Sequence, residues 1–326
     1  MKIVVTGAAG FLGSRLAFAL LSRGTLADRN GQQRPIRKLV LFDHAAATAI
    51  DEPRVESRTG DIADTATLRE LIGEDTDAVF HLAAAVSGEA EADFDLGMRV
   101  NLDGTRALLE ACRRLPQPPR LVFASSVAVF GVPLPPIVTD ATTPTPRASY
   151  GVQKLMGELL VGDCSRKGFI DGRAVRLPTI VVRPGKPNKA ASSFASGIMR
   201  EPLSGQPGIC PVAKQTKVWL LSPARAIDAL IHAHELPGES WGLDRALNLP
   251  GLCISVEDMV ASLQRVAGKT AAGRVAYVPD PVIERIVATW PVNFDTRRAL
   301  ALGFKGDSDF DAILKSYIDD QGIRIT

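Results

Sequence analysis

Residues 1–13 read Met1-Lys-Ile-Val-Val-Thr-Gly-Ala-Ala-Gly-Phe-Leu-Gly13, and their order decides the fold. Ile3, Val4 and Val5 make a short apolar run of strand type. Gly7, Gly10 and Gly13 recur every third residue, and Phe11, Leu12, Leu16, Ala19 and Leu20 follow at helical spacing. A strand, a glycine-rich turn and a helix in that order present backbone N–H groups at a positive helix end, where a pyrophosphate can sit. The glycines serve a tight turn, close approach to phosphate and close helix–strand contact. An ordinary Gly-rich β–α turn would show the same triplet. The position between strand and helix makes it a dinucleotide signal, with Gly7, Gly10, Phe11 and Leu12 as cofactor-binding residues.

Outward from this turn, strand-like and helix-like runs alternate. Strands are predicted at 2–5, 38–42, 78–81, 120–124 and 172–177, and helices at 11–22, 65–72, 94–114 and 150–166. The strands lack polar alternation, as expected where helices cover both faces. The fold class is therefore α/β, a doubly wound parallel sheet of Rossmann type with a smaller C-terminal substrate-binding lobe. The expected division is 1–182 for the dinucleotide-binding domain, with 217–250 partly returning to it, and 183–326 for the lobe. Within the lobe, Phe194, Ile198, Met199 and Leu203 keep helical spacing, and helices are predicted at 224–236 and 256–267.

The chain has 326 residues, a net charge of +2 and 46% hydrophobic residues. That is ample for a large core and gives no reason to expect nucleic acid or membrane as a partner. Cys112, Cys164, Cys210 and Cys253 form no C-x-x-C pair, and His232 and His234 are two apart, so no metal site is expected. Reduced thiols, no signal pattern and no apolar run of bilayer length make the cytoplasm the expected location.

Asp43 ends the second strand. A carboxylate there accepts hydrogen bonds from an adenosine ribose diol and repels a 2′-phosphate, which favours NAD over NADP. The polar stretch 24–37 accounts for its distance from Gly13, as an insertion. Asp61 and Ile62 follow another strand-like segment and are candidates for holding the adenine. Leu82, Ala83 and Ala84 follow the strand at 78–81, where small residues let a flat cofactor pass. Ser87 would then lie near a substrate.

Ser126, Tyr150 and Lys154 form the chemical constellation. Tyr150 and Lys154 are one helical turn apart on one face. A phenol near pKa 10 is a poor base at neutral pH. An ammonium at about 4 Å, in an effective dielectric near 20, contributes roughly 4 kcal/mol, or about 3 pK units. Ser126 ends the strand Leu121-Val-Phe-Ala-Ser-Ser126 and can hydrogen-bond a reacting hydroxyl. The set suits hydride chemistry, with Tyr150 taking the alcohol proton.

The glycine turn, Asp43, His81-Leu-Ala-Ala84, Ala124-Ser-Ser-Val-Ala-Val-Phe-Gly131 and Tyr150-Gly-Val-Gln-Lys154 together resemble an extended short-chain dehydrogenase/reductase of the NAD-dependent epimerase/dehydratase group. The resemblance implies that Ser126, rather than Ser125, is the active-site serine. It also implies that Leu177 and Pro178 lie under the nicotinamide and that Asn101 belongs to the cofactor-binding set. Segment 176–197 is similar to dehydrogenases in that group which oxidise the C2 hydroxyl of a four-carbon sugar acid. There are departures from the sugar-nucleotide enzymes. Val127 and Ala128 stand where dehydratases have acids, Phe130 where many have Tyr, and Thr179 where many have Asn. Ala224-Arg225-Ala226 replaces an acidic pair.

A small sugar acid needs a cation for its carboxylate and donors for its hydroxyls. Ser87, Ser126, Tyr150, Thr179, Arg183, Lys186 and Asn188 are the expected substrate residues, with Lys189, Ser192, Ser193 and Arg225 nearby candidates. A nucleotide-sugar would call for an aromatic platform, and Phe194 and Trp219 are the candidates for one. The expected function is NAD-dependent oxidation of a small sugar acid by a homodimer. The alternatives are a nucleotide-sugar 4-epimerase that keeps its NAD, and a non-catalytic dinucleotide-binding regulator, which has no need of Tyr150 and Lys154.

Overall fold

The computed structural model describes residues 1–185 and 190–325. The chain divides into two compact units: Met1–Val129 with Ala148–Arg176 and Ile227–Asn248, and Phe130–Arg147 with Leu177–Ala226 and Leu249–Thr326. The change of unit thus falls after Arg176 rather than at 182. The returning segment is shorter than 217–250, and Phe130–Arg147 joins the second unit, an excursion that local patterning does not reveal.

The first unit is built on seven strands: β1 (Lys2–Thr6), β2 (Lys38–Asp43), β3 (Val55–Thr59), β4 (Thr76–His81), β5 (Arg120–Ser126), β6 (Asp171–Leu177) and β7 (Ala246–Asn248). Their order across the sheet is β7-β6-β5-β4-β1-β2-β3. The pairs β1–β2, β1–β4, β2–β3, β4–β5 and β6–β7 are parallel. Chain direction across the sheet reverses between β1 and β4, the position where open α/β sheets bind ligands beyond the strand carboxyl ends. Ile3, Val4 and Val5 are fully buried, as the unbroken apolar run requires; each such burial stabilises by about 1.5–3 kcal/mol.

Helices α1 (Phe11–Arg23), α2 (Thr65–Leu71), α3 (Gly104–Arg113) and α4 (Ser149–Arg166) connect these strands. The single helix expected at 94–114 is interrupted: Met98–Asp103 is a π-turn between Phe94–Gly97 and α3. The insertion at 24–37 is an antiparallel hairpin, Thr25–Ala27 with Gln33–Pro35. Asp28 organises its turn by accepting from the N–H groups of Asn30 and Gln32.

The second unit contains a three-stranded sheet in which Lys217–Leu221 pairs antiparallel with Leu252–Ser255 and parallel with Thr179–Ile180. Its core gathers Val181, Ile198, Met199, Leu220, Met259, Leu263 and Leu314. Ser193–Leu203 and Pro223–Glu235 are helical, near the expected positions. Val256–Ala272 is broken at Gly268, whose φ of +84° is open to glycine, so its regular part stops at the expected residue 267. Among the described residues, no helix is long and apolar enough to cross a membrane.

Candidate active site

The glycine turn is shaped by contacts that no side chain could share. Gly7 has φ +73°, and a Cβ there would lie 2.5 Å from the Ala83 nitrogen. A Cβ on Gly13 would collide with the Gly7 carbonyl, so this third glycine fits the helix against the turn itself. Gly10 caps α1 without a side-chain hydrogen bond. Phe11 and Leu12 therefore open a helix whose first N–H groups face a cradle of small residues, an arrangement suited to a pyrophosphate.

Asp43 is buried, with 8% exposure, so it is no solvated strand end. Its Oδ2 accepts from Ala9 N–H at 2.9 Å, which ties the carboxylate to the glycine turn. Oδ1 accepts from Ala45 N–H at 3.2 Å and lies 2.7 Å from His44 Nδ1. Asp61 accepts from Ala63 N–H and pairs with Arg99, so its carboxylate is already engaged in holding the turn after β3. Ile62 is buried, with Gly104 close against it.

Leu82 and Ala83 are fixed through β1. Leu82 N–H donates to Thr6 O at 3.1 Å, and Ala83 N–H to Thr6 Oγ1 at 3.4 Å. A directed chain runs on from there. Thr105 Oγ1 donates to Asn101 O at 2.6 Å, so it accepts from His81 Nε2 at 3.0 Å; His81 Nδ1 then accepts from Thr6 Oγ1 at 2.7 Å. Burial, with Lys154 nearby, pushes the His81 pKa down to about 3, so the ring is neutral, as this chain of bonds requires.

Asn101 lies in the π-turn and is 2% exposed. Its Oδ1 accepts from Ala85 N–H at 2.9 Å, and its Nδ2 donates to Ala85 O at 3.0 Å and to Gln153 Oε1 at 2.7 Å. Both amide hydrogens are used. Asn101 thus fixes Ala85, the residue that follows Ala84. Ala84 is half-buried, and Ser87 is the half-buried first residue of the helix Ser87–Ala92.

Ser125 and Ser126 have different surroundings. Ser125 is buried and donates to Glu158 Oε1 at 2.5 Å. Ser126, half-exposed at the carboxyl end of β5, accepts from Ala128 N–H at 3.1 Å. Tyr150 and Lys154 share one face of α4, with the Lys154 Nζ 5.7 Å from the Tyr150 ring centroid. Lys154 is 2% exposed, donates to Ala124 O at 2.9 Å and lies 4.7 Å from the Phe123 ring centroid. Burial lowers its pKa to about 8, against the attraction of Glu158. Glu158 itself takes a bidentate grip from Arg176, at 2.9 and 2.7 Å, and Arg176 also donates to Asn248 Oδ1 at 3.3 Å. Sequence reasoning missed this buried group. Its one signal was Glu158 standing four residues after Lys154.

In the second unit, Leu177 and Pro178 are buried and Thr179 begins the strand beside Leu220. Arg183 is held by its backbone, its N–H donating to Ser196 Oγ at 3.1 Å and its carbonyl accepting from Arg200 at 2.8 Å; its guanidinium reaches Ser192 Oγ at 3.3 Å. Arg225 N–H donates to Ser222 Oγ at 3.2 Å. Lys186, Asn188 and Lys189 lie outside the described residues. Neither expected aromatic platform is available. Phe194 is buried in the unit's core, and Trp219, 9% exposed, packs on Phe294 with ring centroids 5.1 Å apart. Among the described residues, no group of three or more His, Cys, Asp or Glu could hold a metal ion.

Residues 3–233 match the model of the NAD dependent epimerase/dehydratase family. The chain is 56% identical over 323 residues to D-erythronate dehydrogenase of Cupriavidus necator, covering 99% of each chain. It is 46% identical to D-erythronate dehydrogenase of Haemophilus influenzae, covering 98% of this chain and 99% of that one. A solved structure described as a nucleoside-diphosphate-sugar epimerase from Agrobacterium tumefaciens superposes with a TM-score of 0.95 at 41% identity, covering 100% of this chain and 96% of that one.

Proposed function

The chain belongs to the NAD dependent epimerase/dehydratase family, and on that premise we propose that it oxidises D-erythronate at C2 to the 2-keto acid. The observation that carries this reading is its likeness, over almost the whole chain, to two D-erythronate dehydrogenases. A complete Ser126, Tyr150 and Lys154 set supports it and speaks against a non-catalytic regulator.

NAD, when bound, supplies the hydride acceptor. In the first unit, the cradle of Gly7, Gly10, Phe11, Leu12 and Ala83 would hold the pyrophosphate, and Asp43 the adenosine diol. Tyr150 would accept the proton of the C2 hydroxyl as the alcohol is oxidised to the ketone. Ser126 hydrogen-bonds the same oxygen and orients it. Lys154 lowers the proton affinity of Tyr150. In the second unit, Leu177 and Pro178 would serve the nicotinamide, and Thr179 and Arg183 the substrate hydroxyls and carboxylate.

The epimerase description of the A. tumefaciens relative gives a second reading, with a nucleotide-sugar substrate. The burial of Phe194 and Trp219 weighs against it, since a nucleobase would lack both expected stacking partners. The deciding experiment measures NADH formation across three- to six-carbon sugar acids, with nucleotide-sugars alongside. D-Erythronate is expected to lead; turnover of nucleotide-sugars alone would overturn the reading.

A homodimer belongs to the same proposal. Helix α4 exposes Met156 and Leu159, at 37% and 66%, beside an open hollow of about 400 Å³ that is also lined by Leu102, Asp103, Arg106 and Leu160. An apolar floor with one acid and one base at its edge is self-complementary across a two-fold axis. Leu159→Glu should give a monomer in light scattering; an unchanged mass would exclude this face.

A further inference from the structure

We propose that Glu158 is a positioning residue for the reaction, holding Lys154 in its charged form and the end of β5 in its working place. The inference rests on the reading of Ser126, Tyr150 and Lys154 as the reacting set. Each partner of Glu158 is a chain neighbour of a residue assigned either to that set or to the cofactor. Ser125, which donates to Glu158 at 2.5 Å, precedes Ser126. Arg176, which grips the carboxylate at 2.9 and 2.7 Å, precedes Leu177. Glu158 itself stands one helical turn beyond Lys154 on α4. The carboxylate thus ties α4, β5 and β6 together just behind the reacting groups.

The surroundings of Lys154 explain why a carboxylate is needed there. The ammonium is buried between the Phe123 and Tyr150 rings, and it donates to Ala124 O. The titratable groups around it are Tyr150 and Glu158 on α4, His81 on β4, and Arg176 on β6 behind Glu158. His81 is neutral, and Arg176 is cationic and cannot favour a second cation. Glu158 is the group whose attraction opposes the burial that lowers the Lys154 pKa to about 8. Ring faces and one carbonyl alone would leave the amine prone to lose its proton near neutral pH, and a neutral amine no longer lowers the proton affinity of Tyr150.

A purely structural role predicts loss of stability with an unchanged lysine. The test therefore follows the Lys154 titration by NMR of 13C-labelled lysine in the protein without substrate, using Lys154→Met to assign the signal. Glu158→Gln is expected to lower the midpoint by about one pH unit or more and to draw the alkaline limb of kcat down with it. Glu158→Asp, which keeps the charge, is expected to restore both. Should Glu158→Gln fail to fold, Glu158→Gln with Arg176→Met removes the pair without leaving an unpaired buried charge, and it too should lower the midpoint. A folded variant of either kind with the wild-type midpoint overturns the proposal. The midpoint is read without sugar acid, so a wrong substrate assignment would show separately, as wild-type protein inactive on D-erythronate.

Discussion

Replacing Lys154 with Met should abolish turnover and, at pH 7, make the protein more stable. Burial lowers the lysine pKa from 10.5 to about 8. At 1.36 kcal/mol per unit, holding this charge inside costs the fold about 3 kcal/mol relative to a neutral side chain. Met fills a similar volume without the charge, but it loses the hydrogen bond to Ala124 O, which contributes about 1 kcal/mol. The net gain is about 2 kcal/mol. For 326 residues, with an unfolding entropy of about 2.1 cal/mol/K per residue, that raises Tm by about 3 °C. The sign can be checked by pH. Between the folded pKa of about 8 and the unfolded 10.5, the unfolded chain binds more protons, so wild-type stability rises with pH in that window. Lys154→Met lacks this rise, and its advantage should shrink between pH 8 and pH 10. Urea unfolding at pH 7, 8, 9 and 10 measures both quantities. A variant less stable than wild type at pH 7, or an advantage that stays constant up to pH 10, would refute the reasoning.

Three further outcomes are expected. Tyr150→Phe should bind NAD as wild type does yet lose about 100- to 10,000-fold in kcat; near-normal turnover would remove Tyr150 as the base. Asp43→Ala should weaken NAD about tenfold or more, through loss of charge-assisted hydrogen bonds, and narrow the preference over NADP; a cofactor titration with unchanged preference would contradict that role. His81 and His234 are buried, with pKa values pushed down to about 3. Below pH 6.5 the unfolded chain gains protons that the folded one refuses, and by pH 5 the two together should cost about 4 kcal/mol. His234→Gln should remove about half of that loss between pH 7 and pH 5 in urea midpoints.

The sheet was legible wherever burial on both faces forces an unbroken apolar run, as in β1, β2, β4, β5 and β6. Val55–Thr59 reads Val-Glu-Ser-Arg-Thr, and its last three residues are exposed. As an edge strand with one partner, it needs little apolar surface and leaves a weak pattern. Ala246–Asn248 spans three residues, too few for any period to show, and pairing with β6 is what makes it a strand. The π-turn at Met98–Asp103 keeps the apolar count of a helix while shifting its phase, so a run that scans as one helix turns Asn101 inward onto Ala85.

The residues proposed for the site were legible because the patterns that point to them are local: Gly7 to Gly13 within one turn, and Tyr150 to Lys154 within another. What surrounds them depends on distant partners. Glu158 in a helix of mixed composition reads as a solvated acid until Arg176, 18 residues on, and Ser125, 33 residues back, are brought against it. The same network separates the two adjacent serines, since β5 sends Ser125 into the buried pair and leaves Ser126 at the open strand end. Alternation along a strand places neighbours on opposite faces, so a β-strand that ends in two serines can offer only one of them to a substrate. Tertiary packing on α4 decides which.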